Sequence, residues 1–149
     1  MDDINLSEKI KITDLLAQQK SVTIHPQGFS MYPLIYPGRD RVTISPIGSR
    51  KIKRGDVLLY RRQSGRLILH RVYKIKDSKL FLVGDNQSEI EGPLDTSRVY
   101  GIMTEFYHGN AHFSVRNPLY FLSWQIWLFL LPFRKPLSEF IHKIKPAKK

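Results

Sequence analysis

The chain reads as a mainly β domain, a compact body of short antiparallel strands with a short N-terminal helix and a C-terminal helical hairpin. Three observations lead there. From Val22 onward the apolar residues recur with a period of two, in short runs, where an amphipathic helix would show 3.6. Those runs are rich in β-branched and aromatic residues, which suit a pleated, half-buried surface. The connectors carry turn pairs, Ser64-Gly65, Asp77-Ser78 and Gly109-Asn110, each fitted to a hairpin and so to antiparallel pairing.

Ser7 is placed to cap a helix over residues 7–19, in which Ile12, Leu15, Leu16 and Gln19 fall at i, i+3, i+4 and i+7 with only the last polar. Seven strands are expected after it: Val22 to Ile24, Arg41 to Ile44, Asp56 to Arg61, Leu67 to Lys76, Leu80 to Val83, Val99 to Tyr107 and Ala111 to Arg116. A length of 149 residues suits one domain with one core, here residues 1–116.

The composition changes after Arg116. Asn117-Pro118 is a cap and first-turn pair, and Leu119 to Leu131 is apolar apart from Ser123 and Gln125. Those two point to nearly opposite sides of a helix and leave no polar face for water, so the segment is expected to be buried in something. The run is 13 residues long, short of the roughly 20 apolar residues that span a bilayer. Beyond Phe133-Arg134-Lys135-Pro136 a second helix would set Leu137, Phe140, Ile141 and Ile144 opposite Ser138, Glu139, His142 and Lys143, ahead of a frayed basic end, Lys145-Pro146-Ala147-Lys148-Lys149. Residues 117–149 thus form a second region, expected to lie on or dip into an anionic membrane as a peripheral or re-entrant hairpin, with packing on the β body or on a second copy of it as the alternative.

The net charge of +11 calls for an anionic partner. The basic residues are scattered rather than interleaved with a stacking platform, so nucleic acid is not the expected one. There is no Cys, which removes disulfides and thiolate metal sites, and neither a metal nor a cofactor is expected. Met1-Asp2-Asp3-Ile4-Asn5 lacks the basic and apolar regions of a signal peptide.

One loop stands out for chemistry. Gly28-Phe29-Ser30-Met31-Tyr32-Pro33 sets a hydroxyl between a Gly that leaves space and a Pro that stiffens the chain, so Ser30 is a candidate nucleophile if a base reaches it. Five His residues compete for that role. His142 sits in the basic tail, His108 and His112 flank a turn, and His25 precedes Pro26. His70 lies mid-strand on the face of Ile68 and Val72, where an imidazole needs a partner. Taken alone, it reads as a half-buried structural His.

Five motifs change that reading. Gly28 to Pro33, Arg54-Gly55-Asp56-Val57, Leu69-His70-Arg71-Val72, Gly84-Asp85-Asn86 and Val99-Tyr100-Gly101 together resemble, in this order, the type I signal peptidase and SOS-repressor superfamily of serine proteases over roughly residues 20–105. The resemblance implies that fold, with Ser30 as nucleophile and His70 as base, as in the archaeal and endoplasmic-reticulum branch. It implies Asp85 as the acid that orients His70 and also keeps Glu91 open, while Glu89, Glu91 and Asp95 lie close enough in sequence to compete; the Ser30 N–H would form the oxyanion hole. Gly28, Met31 and Pro33 would frame an extended polypeptide substrate, such as a leader or signal peptide. The chain departs from the family where Arg39 interrupts Gly38-Asp40, where Gly28 offers no second hydroxyl, and in lacking an N-terminal transmembrane helix or DNA-binding domain. A cytoplasmic-facing, membrane-associated serine endopeptidase is the expectation, with an extracytoplasmic site or a non-catalytic peptide- or lipid-binding module as alternatives.

Overall fold

The computed structural model describes residues 6–135. Helix α1 (Leu6–Ala17) leads into eight strands: β1 (Val22–Ile24), β2 (Asp40–Ser45), β3 (Val57–Arg61), β4 (Leu67–Lys76), β5 (Lys79–Val83), β6 (Glu91–Leu94), β7 (Val99–His108) and β8 (Ala111–Ser114). Helix α2 (Pro118–Phe129) follows. The strands form one antiparallel sheet in the order β1-β2-β7-β3-β4-β5-β6, with β8 added to β7. The mainly β architecture anticipated above is present.

The turn residues set the hairpins. Gly65 at φ +85° closes β3 onto β4, and Asp77 and Ser78, at φ +51° and +61°, make the two-residue turn whose twist matches that of β4 and β5. Strand β6 was not anticipated. Gly92 and Pro93 argue against a central strand, and β6 pairs only with β5 at the end of the sheet, where a Pro removes no ladder bond that a neighbour needs.

Alternation along the strands divides the interior into two layers. Val57 and Leu59 of β3 join Leu67 and Leu69 of β4, Met31, Ile35, and Ile12 and Leu16 of α1 in the first. Leu58, Tyr60, Ile68, Val72, Leu80 and Leu82 make the second. Adjacent residues of a strand point to opposite faces, so His70 and its neighbour Arg71 serve different layers.

Helix α2 starts where Asn117 Oδ1 accepts the Leu119 N–H at 2.8 Å. Tyr120, Trp124 and Leu128 recur every four residues and bury one stripe of the helix against the first layer. Trp124 sits on Gly55, at φ +92°, where any Cβ would overlap its ring. Burial of α2 stops at that stripe, however. Leu119, Phe121, Leu122, Ile126 and Phe129 are exposed, so the expectation of an enclosed segment holds for one side only. Among the described residues no helix is long and apolar enough to cross a membrane. The second helix with Leu137, Phe140, Ile141 and Ile144, and the basic end, lie outside the described residues.

Candidate functional site

The Ser30 loop is a turn anchored from within. Gly28 takes φ +70°, the Ile35 N–H donates to Met31 O at 2.9 Å, and the Met31 and Ile35 side chains plug into the first layer. Ser30 stays partly open. Its carbonyl accepts the Asn86 N–H at 2.8 Å, and a Cβ on Gly84 would lie 2.8 Å from that same oxygen, so Gly84 is needed for the approach. The Gly84-Asp85-Asn86 loop is held from its far side by the C-terminal region. Trp127 Nε1 donates to Asp85 O at 2.6 Å, and Arg134 Nη1 donates to Gln87 O at 3.0 Å and Gly84 O at 3.3 Å.

Beside Ser30 lies a small apolar pocket of about 30 Å³, bounded by Ile24, Gly28, Met31, Leu59 and the Leu67-Ile68-Leu69 stretch of β4. Residues 67–70 pair with β3 on one side only, because the ladder to β5 begins at Arg71. The Ser30 loop therefore faces a length of strand edge that stops at His70, the residue after Leu69.

His70 is 1% exposed, and its surroundings define its protonation. Nδ1 lies 3.1 Å from Tyr60 Oη, and Tyr60 Oη donates to Glu91 Oε2 at 2.6 Å. A phenol has one proton, and it is spent on Glu91, so Nδ1 must carry the hydrogen and donate it to the phenol oxygen. That tautomer leaves the Nε2 lone pair free. Burial pushes the His70 pKa down to about 3, with the Arg62 guanidinium adding to the effect, so the imidazole is neutral at physiological pH. Burial likewise pushes Tyr60 up to about 12, which keeps the phenol protonated. Arg62 holds Glu91 through Nε at 3.0 Å to Oε2 and through Nη2 to Oε1.

Ser30 borders the pocket with Leu67, Ile68 and Leu69, the residues just before His70, and among the described residues no hydrogen bond joins the Ser30 hydroxyl to the imidazole. Asp85 is fully buried and gives both oxygens to Arg71, at 2.8 Å to Nε and 2.7 Å to Nη2. Arg71 Nη1 goes on to Gly55 O at 2.9 Å and Tyr120 Oη at 3.0 Å. Asp85 is thus the counter-ion of Arg71, and the acid that reaches His70 is Glu91, through Tyr60 and at 3.9 Å directly. Glu89 is exposed, and Asp95 pairs with Lys79. Gly28 and Met31 line the pocket, whereas Pro33 is exposed and does not.

His25 is exposed, and His108 and His112 lie on the surface against Asp40 at 3.2 Å and Glu105 at 3.3 Å. His142 lies outside the described residues. The Arg39 that interrupts Gly38-Asp40 is accommodated: Asp40 is fully buried and accepts the Tyr36 N–H at 2.7 Å while pairing with Arg39. Sequence reasoning missed Tyr60, Arg62, Trp127 and Arg134. The one signal for Tyr60 was its place in the strand preceding His70, and a diagonal partnership of that kind emerges only from the register, in which Leu58 faces His70 and Tyr60 faces Ile68.

No protein-family model matches the chain, and no curated protein matches it significantly.

Proposed function

We propose that the chain is a membrane-associated serine endopeptidase resembling type I signal peptidase, with Ser30 as nucleophile, His70 as general base and Glu91, acting through Tyr60, as the orienting acid. The observation that carries this reading is the His70–Tyr60–Glu91 chain of hydrogen bonds. It supplies a neutral imidazole of one tautomer with Nε2 unoccupied, which is the form that removes a hydroxyl proton.

In this mechanism a polypeptide lies extended along residues 67–70 of β4, adding a strand to the free edge, with a small side chain in the pocket beside Ser30. Binding closes Ser30 Oγ onto His70 Nε2. Oγ attacks the scissile carbonyl as Nε2 takes its proton, and the oxyanion forms against the Ser30 N–H, which makes no hydrogen bond among the described residues. The tetrahedral adduct collapses as Nε2 returns the proton to the leaving amine. Water then attacks the acyl-enzyme by the same relay. The imidazolium of each transition state keeps its Nδ1–H donated to the Tyr60 oxygen, whose own proton goes to Glu91.

A second reading, a non-catalytic peptide- or lipid-binding module, draws on the missing Ser30–His70 hydrogen bond. Incubation of the chain with a mixture of unstructured peptides, with cut sites mapped by mass spectrometry, separates the two. The peptidase reading expects cleavage after small residues that disappears in Ser30→Ala and His70→Ala. Peptide binding without cleavage, or cleavage that survives in Ser30→Ala, contradicts it.

A further inference from the structure

Helix α2 has two apolar faces. Leu119, Leu122, Ile126 and Phe129 fall at i, i+3, i+7 and i+10, and at 3.6 residues per turn they lie opposite the buried Tyr120-Trp124-Leu128 stripe. Leu119 is 77% and Phe129 75% exposed, and Phe133, just past the helix, is 57% exposed. With Phe121 these side chains present on the order of 600 Å² of uncovered apolar surface, at the top of the range for the largest patch on a monomer.

A cationic cleft adjoins this ridge. A volume of about 420 Å³ opens between α2, the segment before β3 and the segment after β8, lined by Arg50, Lys53, Arg54 and Arg116 with Asp56 as the one acid. Arg50 answers that acid at 2.8 Å, the Lys53 N–H donates to it at 2.7 Å with the Lys53 charge acting on it as well, and Arg54 Nε donates to Tyr73 O at 3.0 Å, which leaves the cleft with a net positive charge. Phe121, 51% exposed, lines the cleft and packs edge-on against Trp124, on the flank of the helix between the buried stripe and the outer ridge. The cations therefore stand beside the flank of the helix that carries Phe121, with the outer apolar ridge on the next face round.

We propose that the outer face of α2 and this cleft form a single docking surface for an anionic phospholipid bilayer. The helix lies in the plane of the interface, its apolar ridge among the acyl chains, with Lys53, Arg54 and Arg116 at the level of the headgroup phosphates. This deepens the membrane association proposed above and is independent of the peptidase chemistry. Charge decides against a second copy as occupant, because a self-paired face would bring two sets of these cations together on chains of net charge +11. The helix also ties the membrane to the site, since Trp127 of α2 and Arg134 beyond it hold the Gly84–Gln87 loop on which Ser30 rests.

The test is flotation of the full chain with phosphatidylcholine vesicles, with and without phosphatidylglycerol, at low and high salt. The proposal expects binding that needs the anionic lipid and weakens with salt. Leu122→Ser/Phe129→Ser, at exposed positions, should lose binding, and Lys53→Glu/Arg116→Glu should weaken it at least tenfold, both with unchanged melting curves and unchanged covalent labelling of Ser30 in solution. Unimpaired binding in both variants would overturn the proposal. So would a wild-type chain that ignores anionic vesicles, whether it stays monomeric or forms a dimer that Leu122→Ser/Phe129→Ser dissociates. If the chain floats normally and Ser30 does not label, the peptidase reading fails and the docking surface stands.

Discussion

Replacing Tyr60 with Phe removes one oxygen and keeps the ring that fills the second layer. That oxygen accepts from His70 Nδ1 at 3.1 Å and donates to Glu91 at 2.6 Å. Without it the nearest carboxylate oxygen is 3.9 Å from Nδ1, beyond hydrogen-bond range, so Glu91 cannot take over unless the backbone moves. Two consequences follow. The buried Nδ1–H loses its acceptor, which costs about 1–3 kcal/mol of stability. The imidazolium of the transition state loses a charge-assisted link worth roughly 1.5–3 kcal/mol, so acylation should slow by about 10- to 100-fold. The assay is the rate at which a fluorophosphonate labels Ser30, followed by intact mass beside a thermal melt. The expected result is slower labelling at saturating probe with little change in probe affinity, in a protein that remains folded. Labelling at the wild-type rate in folded Tyr60→Phe would refute the relay.

Three further outcomes are expected. The folded-state pKa of His70 is depressed to about 3 from 6.5, so between these values the unfolded chain binds the extra proton; the associated stability is complete above pH 6.5 and is lost as pH falls towards 3. Denaturant titrations from pH 7 to pH 5 should therefore lose about 2 kcal/mol, a slope that His70→Gln removes and that would be unchanged by it if His70 were solvated. Gly55→Ala forces a Cβ into the Trp124 ring at positive φ and should cost about 2–4 kcal/mol, whereas Gly109→Ala, with open space at φ +58°, should cost about 1 kcal/mol; equal melting shifts would contradict the packing of α2. Arg71→Met leaves the fully buried Asp85 without its counter-ion and should cost about 3–5 kcal/mol in urea titrations, with part of the loss recovered in Arg71→Met/Asp85→Leu.

The sheet was legible where turns announce themselves. Ser64-Gly65, Asp77-Ser78 and Gly109-Asn110 mark hairpins because their backbone conformations suit few residues, and the strands between them follow from alternation. Strand β6 was hidden because Gly92 and Pro93 are poor strand formers, and only a terminal place in the sheet tolerates them. The loop made Ser30 only a candidate, and an imidazole on an apolar face read by itself as a structural His; it was the five ordered motifs that singled out both. The acid could not be found in that way. His70 and Arg71 are adjacent and so face different layers, and Asp85 goes to Arg71's side. Which carboxylate reaches His70 depends on the diagonal between β3 and β4 that brings Tyr60 alongside, a tertiary fact. For α2 the uniform hydrophobicity hid which stripe would be covered, since Trp124 docks only where Gly55 lacks a side chain.

The proposed peptidase stands on activation of the Ser30 hydroxyl by His70. Intact-mass analysis after exposure to a serine-reactive fluorophosphonate, run on the wild-type chain, Ser30→Ala and His70→Ala with folding checked by circular dichroism, tests it most directly. One adduct is expected on the wild-type chain, mapped to Ser30, and none on either variant. An adduct on another residue, equal labelling of folded His70→Ala, or a folded wild-type chain that remains unmodified would contradict it.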